Sequence, residues 1–168
     1  MGDSRNTAAA PDVLTEDRDG VRWLVLNRPA GSTVGDAVPD LSWLTGDTEP
    51  VFVGGPVAET AVIVLAEFDR PELAGALVDE DLGFIGADAD DPDRLHGAIR
   101  RARVFAGHAG WGPGQLEDEL AEEAWIIEPP TRDEIFTAEP EDLWAAVLRR
   151  KGHRYALLAT MPLDPSLN

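Results

Sequence analysis

Apolar residues in this chain come in short, dense runs broken by glycine and proline, and few keep a helical period for long. "VRWLVLN" (21–27) predicts a strand that stops at Arg28-Pro29. "PVFVGGPV" (50–57) predicts a second, ending at Gly54-Gly55-Pro56. "TAVIVLAEF" (60–68) is an unbroken apolar run of the kind buried on both faces of a sheet, and "LGFIGA" (82–87) reads as a fourth strand. "RVFAG" (103–107) and "WIIEP" (125–129) add two more. Helical spacing is weaker: a short piece in "VGDAVPDLSWL" cut by Pro39, a segment at 91–102 weakened by Gly97, and a helix over about 113–123.

The clearest helix is "PEDLWAAVLRRKG" (140–152). Pro140 suits the first helical position, Glu141 and Asp142 sit at the positive end of the dipole, and Arg149, Arg150 and Lys151 sit at the negative end. Gly152 is placed to take the left-handed position that ends the helix. Leu143, Trp144, Val147 and Leu148 form its apolar face and are expected in the core. The tail "YALLATMPLDPSLN" begins as helix or strand until Pro162 and Pro165 end it. Several strands follow one another closely, and strands and helices alternate only in part. The expected fold is α+β: one domain with a mixed β-sheet packed against a few helices, spanning residues 14–168 behind a disordered tail at 1–13.

Charge changes this picture more than composition does. The 168 residues carry 32 acids against 14 bases, a net −18. That field repels polyanions, so direct nucleic-acid binding is not expected. Seven of the bases cluster as Arg100/Arg101/Arg103 and Arg149/Arg150/Lys151/Arg154, which leaves a local basic patch open if the fold unites them. Cysteine is absent, which removes disulfides and thiolate metal sites. The start has no signal-like apolar region and no run approaches the length of a membrane span, so a cytoplasmic protein without a membrane partner is expected.

Candidate chemistry centres on "GHAGWGPGQLEDEL" (107–120), where four glycines and a proline surround Trp111 and a helix opens on acids. Positive φ or close backbone approach calls for such glycines, Gly112 among them. Free N–H groups at a strand-to-helix junction cradle anions, yet the spacing fits neither a Walker A loop nor a dinucleotide fingerprint. Asp118/Glu122 and Glu119/Glu123 are like-charged pairs at i, i+4. Between Gly112 and Asp142 there are eleven acids and one base, Arg132. Such a surface is solvated, or it receives a basic partner or cation. "DADDPD" (88–93) lacks the glycine and the final glutamate of a calcium loop, and His96, His108 and His153 show no ligand spacing. No metal and no cofactor are expected. Arg28, fixed before Pro29, is placed to bridge to the acidic helix or to hold an anion.

The same long motif, followed by Trp125, Ile135-Phe136 and "EDLWAAVLRRKG", resembles the YqgE/AlgH family. Asn27-Arg28-Pro29 and Gly54-Gly55-Pro56-Val57 resemble its two other signatures, in the same order. The resemblance implies a mixed α/β fold and no agreed biochemical activity. Members are often labelled transcriptional regulators, a label that rests on a genetic link to alginate production. Two departures stand out. The N-terminus does not resemble the extra strand usual in the family, which would leave a sheet edge open to pair with another chain as a homo-oligomer. His108 stands where relatives usually have tyrosine.

Together these readings give a protein that acts without catalysis, in regulation or interaction, through the acidic surface near the glycine loop. The alternative is a protein or enzyme that binds a small anionic or nucleotide ligand in that loop. The residues put forward for ligand or partner binding are Arg28, His108, Trp111, Gly112, Gly114, Gln115, Glu117 and Glu119. The partner itself, protein or small anion, is not identified by the sequence.

Overall fold

The computed structural model describes residues 13–17, 20–86, 92–152 and 154–160. Eight strands form one sheet: β1 (Val13–Asp17), β2 (Gly20–Leu24), β3 (Pro29–Thr33), β4 (Pro50–Val53), β5 (Val57–Phe68), β6 (Ala76–Leu77), β7 (Leu82–Phe84) and β8 (Ile99–Trp111). The helices are short: α1 (Val34–Ala37), α2 (Ser42–Thr45), α3 (Pro92–Leu95), α4 (Gln115–Ala121), α5 (Arg132–Ile135), α6 (Leu143–Lys151) and α7 (Arg154–Leu158).

β8 organises the sheet. On one side it pairs antiparallel with β5, from Glu67↔Arg101 to Val62↔Ala106 and again at Val57↔His108. Two strands share its other side. β4 runs parallel to it at Phe52↔Phe105 and Val53↔Ala106, and β2 runs antiparallel at Val21↔Trp111 through Trp23↔Ala109. The order β1-β2-β8-β5-β7-β6, with β3 joined to β4, makes a mixed sheet with helices against it, an α+β fold. β1 covers β2 from Val13↔Leu24 to Asp17↔Gly20, so the outer edge on that side falls to β1 and not to β2.

Side-chain alternation sorts the core onto the two faces. Phe52, Leu65 and Phe105 join Leu24, Leu26, Leu82, Ile135, Leu143 and Val147 on one face, under α5 and α6. Val51, Val64 and Val104 join Val34 on the other, under the α1–α2 segment. Thr33 caps α1 through the Asp36 N–H. Thr131 and Glu134 form a reciprocal capping box at α5.

Several expected elements differ. Residues 99–102 are strand and not helix. Gly97 at φ +77° ends α3 early, and the chain from Ile99 continues straight into β8. The strand predicted at 103–107 therefore runs from 99 to 111 and takes in half of the expected loop. No strand forms at 125–129, which is irregular chain packed on the sheet through Trp125. The 60–68 run begins earlier, at Val57, and only its second half is buried; Val57 and Val62 stay exposed. Residues 88–91 of "DADDPD" and His153 lie outside the described residues.

Over 140–152 the chain makes a 3₁₀ turn, Pro140–Asp142, and then α6, closed by Gly152 at φ +77°. Leu143, Val147 and Leu148 are buried as expected, but Trp144 is only half-buried, because the core side of α6 is filled by the smaller residues flanking it. Leu143→Ala should therefore cost about 2–5 kcal/mol in urea unfolding, and Trp144→Ala clearly less than the ~3–5 kcal/mol of a fully buried aromatic. The reverse order would show that the helix is rotated.

Candidate functional site

The start of α4 sits over a cluster of three tryptophans. Trp23 from β2, Trp111 from the end of β8 and Trp125 from the chain after α4 have ring centroids 4.6 to 5.6 Å apart. All three pairs are tilted or edge-on, the arrangements that aromatic quadrupoles favour. Leu116 and Ala109 complete the cluster.

Glu119 ties it together. Its Oε2 accepts from Trp111 Nε1 at 3.1 Å and from Trp125 Nε1 at 2.9 Å, and its Oε1 accepts from Gln115 Nε2 at 3.1 Å. Gln115 Oε1 in turn accepts from the Gly112 N–H at 3.4 Å. The N–H of Gly112 is thus spent inside the protein. Partial desolvation would raise the Glu119 pKa, but the hydrogen bonds from Trp125, Trp111 and Gln115 outweigh it and hold the carboxyl below the ordinary 4.5.

A depressed folded-state pKa stabilises the fold at full strength above the unfolded value, and that stabilisation is lost as pH falls through the folded one. Tryptophan fluorescence should therefore report loosening of the clasp below about pH 4.5. Glu119→Gln should remove that step from the fluorescence titration. An unchanged acid titration in the variant would rule out Glu119 as the titrating group. Glu128, held down by Lys151 and then Arg150, and Glu134, whose desolvation is outweighed by Arg150, add to acid sensitivity elsewhere.

The outer side of α4 is different. Glu117, Asp118, Glu122 and Glu123 are exposed, and their side chains enter no hydrogen bond or ion pair among the described residues. Four other acids of the same stretch are engaged. Asp133 pairs with Arg101, Glu128 with Arg150 and Lys151, Glu134 with Arg150, and Glu119 with the indoles.

Both arginine runs are largely used up. Arg100 pairs with Glu67, Asp69 and Asp81; Arg101 pairs with Glu67 and Asp133. Arg132 joins Asp79 and Asp81. Arg103 is buried, with 7% of its surface exposed. It donates to the carbonyls of Ile135 (2.8 Å), Leu26 (3.4 Å) and Thr137, and it stacks on Phe52 at 4.2 Å. Burial pushes its pKa down to about 10, against the opposing field of Glu49.

The remaining candidates are dispersed. Arg28 is exposed and makes no ion pair among the described residues, so it does not bridge to α4; its carbonyl accepts from the Val53 N–H. His108 is half-buried, with Nδ1 placed 3.1 Å from the Ala109 carbonyl, which the Nδ1–H tautomer satisfies. Gly114 takes φ +82°, whereas Gly112 has no positive φ, against expectation, because the reversal is completed two residues later. A Cβ at Gly112 or Gly114 would meet open space.

The crowded glycines lie elsewhere. At Gly54, Gly55 and Gly107 the β4–β5 connection crosses β8 backbone against backbone, and a Cβ at Gly54 would stand 2.2 Å from the Gly107 carbonyl oxygen. Sequence reasoning missed the roles of Trp23 and Arg103. A usable signal existed for Arg103: period-two alternation puts it on the same sheet face as Phe105.

Among the described residues no helix is long and apolar enough to cross a membrane. The AlgH-like family (DUF179) matches residues 12–156. A UPF0301 protein of Streptomyces coelicolor is 40% identical over 162 residues, 93% of this chain and 83% of the relative. A UPF0301 protein of Mycobacterium tuberculosis is 35% identical, covering 93% and 79%. The crystal structure of protein DIP2367 from Corynebacterium diphtheriae superposes with a TM-score of 0.79 at 22% identity, over 96% of this chain and 86% of that one. The solution structure of AlgH from Pseudomonas aeruginosa gives 0.64 at 25% identity, over 90% and 83%. The family match spans every strand from β1 to β8 together with the tryptophan clasp, and the chain belongs to the AlgH-like, UPF0301 family.

Proposed function

We propose that this protein is a non-enzymatic interaction protein that receives a basic segment of a partner on the outer face of α4. One observation carries the reading: Glu117 and Asp118 in α4, Glu122 at its C-cap and Glu123 just beyond stand exposed without an ion pair among the described residues, while neighbouring acids are matched to cations. Asp118 and Glu122 are like charges one turn apart at the end of α4, worth a few tenths of a kcal/mol against stability, and no cation offsets them among the described residues. The Glu119–tryptophan clasp fixes the helix on the sheet, and a presented charge pattern on a rigid mount loses less entropy on binding. Charge complementarity of this kind acts mainly on association rate and partner choice, and it weakens with salt.

The test is a quadruple variant, Glu117→Gln, Asp118→Asn, Glu122→Gln and Glu123→Gln. It should unfold at the same or slightly higher urea concentration than the parent chain. It should also lose the partners that the parent chain retains at low ionic strength and releases at high ionic strength. Identical partner sets for the two proteins would overturn the proposal.

A further inference from the structure

A cleft of about 270 Å³ opens beside β8, on the side away from the tryptophan clasp. Its position follows from the topology. β5 accompanies β8 along residues 101–106, but on the opposite side β4 pairs only at Phe105 and Ala106. The preceding β8 residues, Arg100 to Val104, therefore line a gap closed by α2, by the start of β4 and by the chain after α5.

The wall contains a buried charge with no ion pair among the described residues. Arg103 is buried and forms no ion pair with a carboxylate among the described residues; its hydrogen bonds go to three main-chain carbonyls. A guanidinium has five N–H donors. Two of those on Arg103 make no hydrogen bond among the described residues. Its neighbours Arg100 and Arg101 are matched by Glu67, Asp81 and Asp133 and leave little net charge. Glu49 lines the cleft as well, close enough for its field to reach Arg103 without an ion pair. Phe52 and Phe136 supply apolar surface, and Thr45 and Thr137 supply polar groups. Polar and apolar surface line the cleft in about equal measure, more polar than the usual small-molecule site and suited to a charged ligand.

The geometry points to a binding site for a small oxyanion, a carboxylate or phosphate monoester on a compact apolar body, with the Arg103 guanidinium as its charge partner. The volume lies just below the ~300–1,000 Å³ usual for ligand pockets, which suits a short metabolite and excludes a dinucleotide. This site is separate from the acidic face of α4 and does not depend on the function proposed for it.

Phenyl phosphate and benzoate titrated into ¹⁵N-labelled protein test the assignment. Saturable amide shifts are expected in segments 44–52 and 136–138. Saturation by phenyl phosphate alone assigns a phosphate monoester, by benzoate alone a carboxylate, and by both the shared oxyanion chemistry. Glu49→Gln removes the repelling carboxylate and should tighten Kd by roughly threefold to tenfold. Arg28→Gln and the quadruple α4 variant should leave Kd unchanged, which separates this site from the interaction surface. Absence of saturable shifts in those segments with both probes, or an unchanged Kd in Glu49→Gln, would overturn the assignment.

Discussion

Gly55→Ala should fail to give a folded protein, or give one destabilised by upwards of about 4 kcal/mol, a large fraction of a typical domain's total stability. A Cβ there would lie 2.2 Å from the Ala109 nitrogen and from the His108 carbonyl carbon. These are main-chain atoms of the central strand, so no rotamer change relieves the clash; either β8 shifts or the connection detaches. Gly54→Ala meets the Gly107 carbonyl oxygen at the same 2.2 Å and should behave alike. Glycines of the α4 loop provide the contrast. Gly114→Ala has space but sits at φ +82°, a strain of about 1–2 kcal/mol. Gly112→Ala has space and no positive φ, and should be neutral or stabilising by up to about 1 kcal/mol. Urea unfolding of the four variants gives the order directly. A Gly55→Ala protein within 1 kcal/mol of the parent chain would mean that the crossing is looser than described.

The same glycines show where the sequence was legible. Both motifs announce themselves as runs of glycine, but composition does not distinguish close backbone approach from a turn that reverses in solvent. Only the topology does, because it brings residues 54–55 against 107–109 across roughly fifty positions of chain. α6 was readable from its charges and its terminal glycine, since those act within one turn. Its rotation was not: Trp144 and Leu143 are adjacent in sequence, and which of them faces the sheet depends on the sheet. Residues 99–102 read as helix because alanine and arginine favour it locally, and pairing with residues 66–68 of β5 overrode that preference. Of the candidate site, Trp111, Gln115 and Glu119 were found together because they lie within one loop and one turn. Trp23 completes the clasp from distant chain, and Trp125 from a segment that reads as a strand but is irregular, so local spacing did not report them.

Arg103→Met should destabilise the protein by about 3 kcal/mol, the net of two opposed effects. Removing the cation relieves the cost of holding an unpaired charge away from water. It also strips the carbonyls of Leu26, Ile135 and Thr137 of their common donor, and an unsatisfied buried acceptor costs about 1–3 kcal/mol. Three acceptors against one relieved charge decide the sign. The carbonyls come from the β2–β3 connection and from the end of α5, so one side chain of the central strand fastens two otherwise separate segments to the sheet. Arg103→Lys is the sharper comparison. It keeps the charge on a point donor that cannot fork across three carbonyls, and it gives up the planar stacking on Phe52. If directional hydrogen bonding dominates, the lysine variant should fall close to the methionine variant in urea unfolding. A lysine variant as stable as the parent chain would show that charge at the end of α5, and not the three-carbonyl geometry, is what fixes that segment.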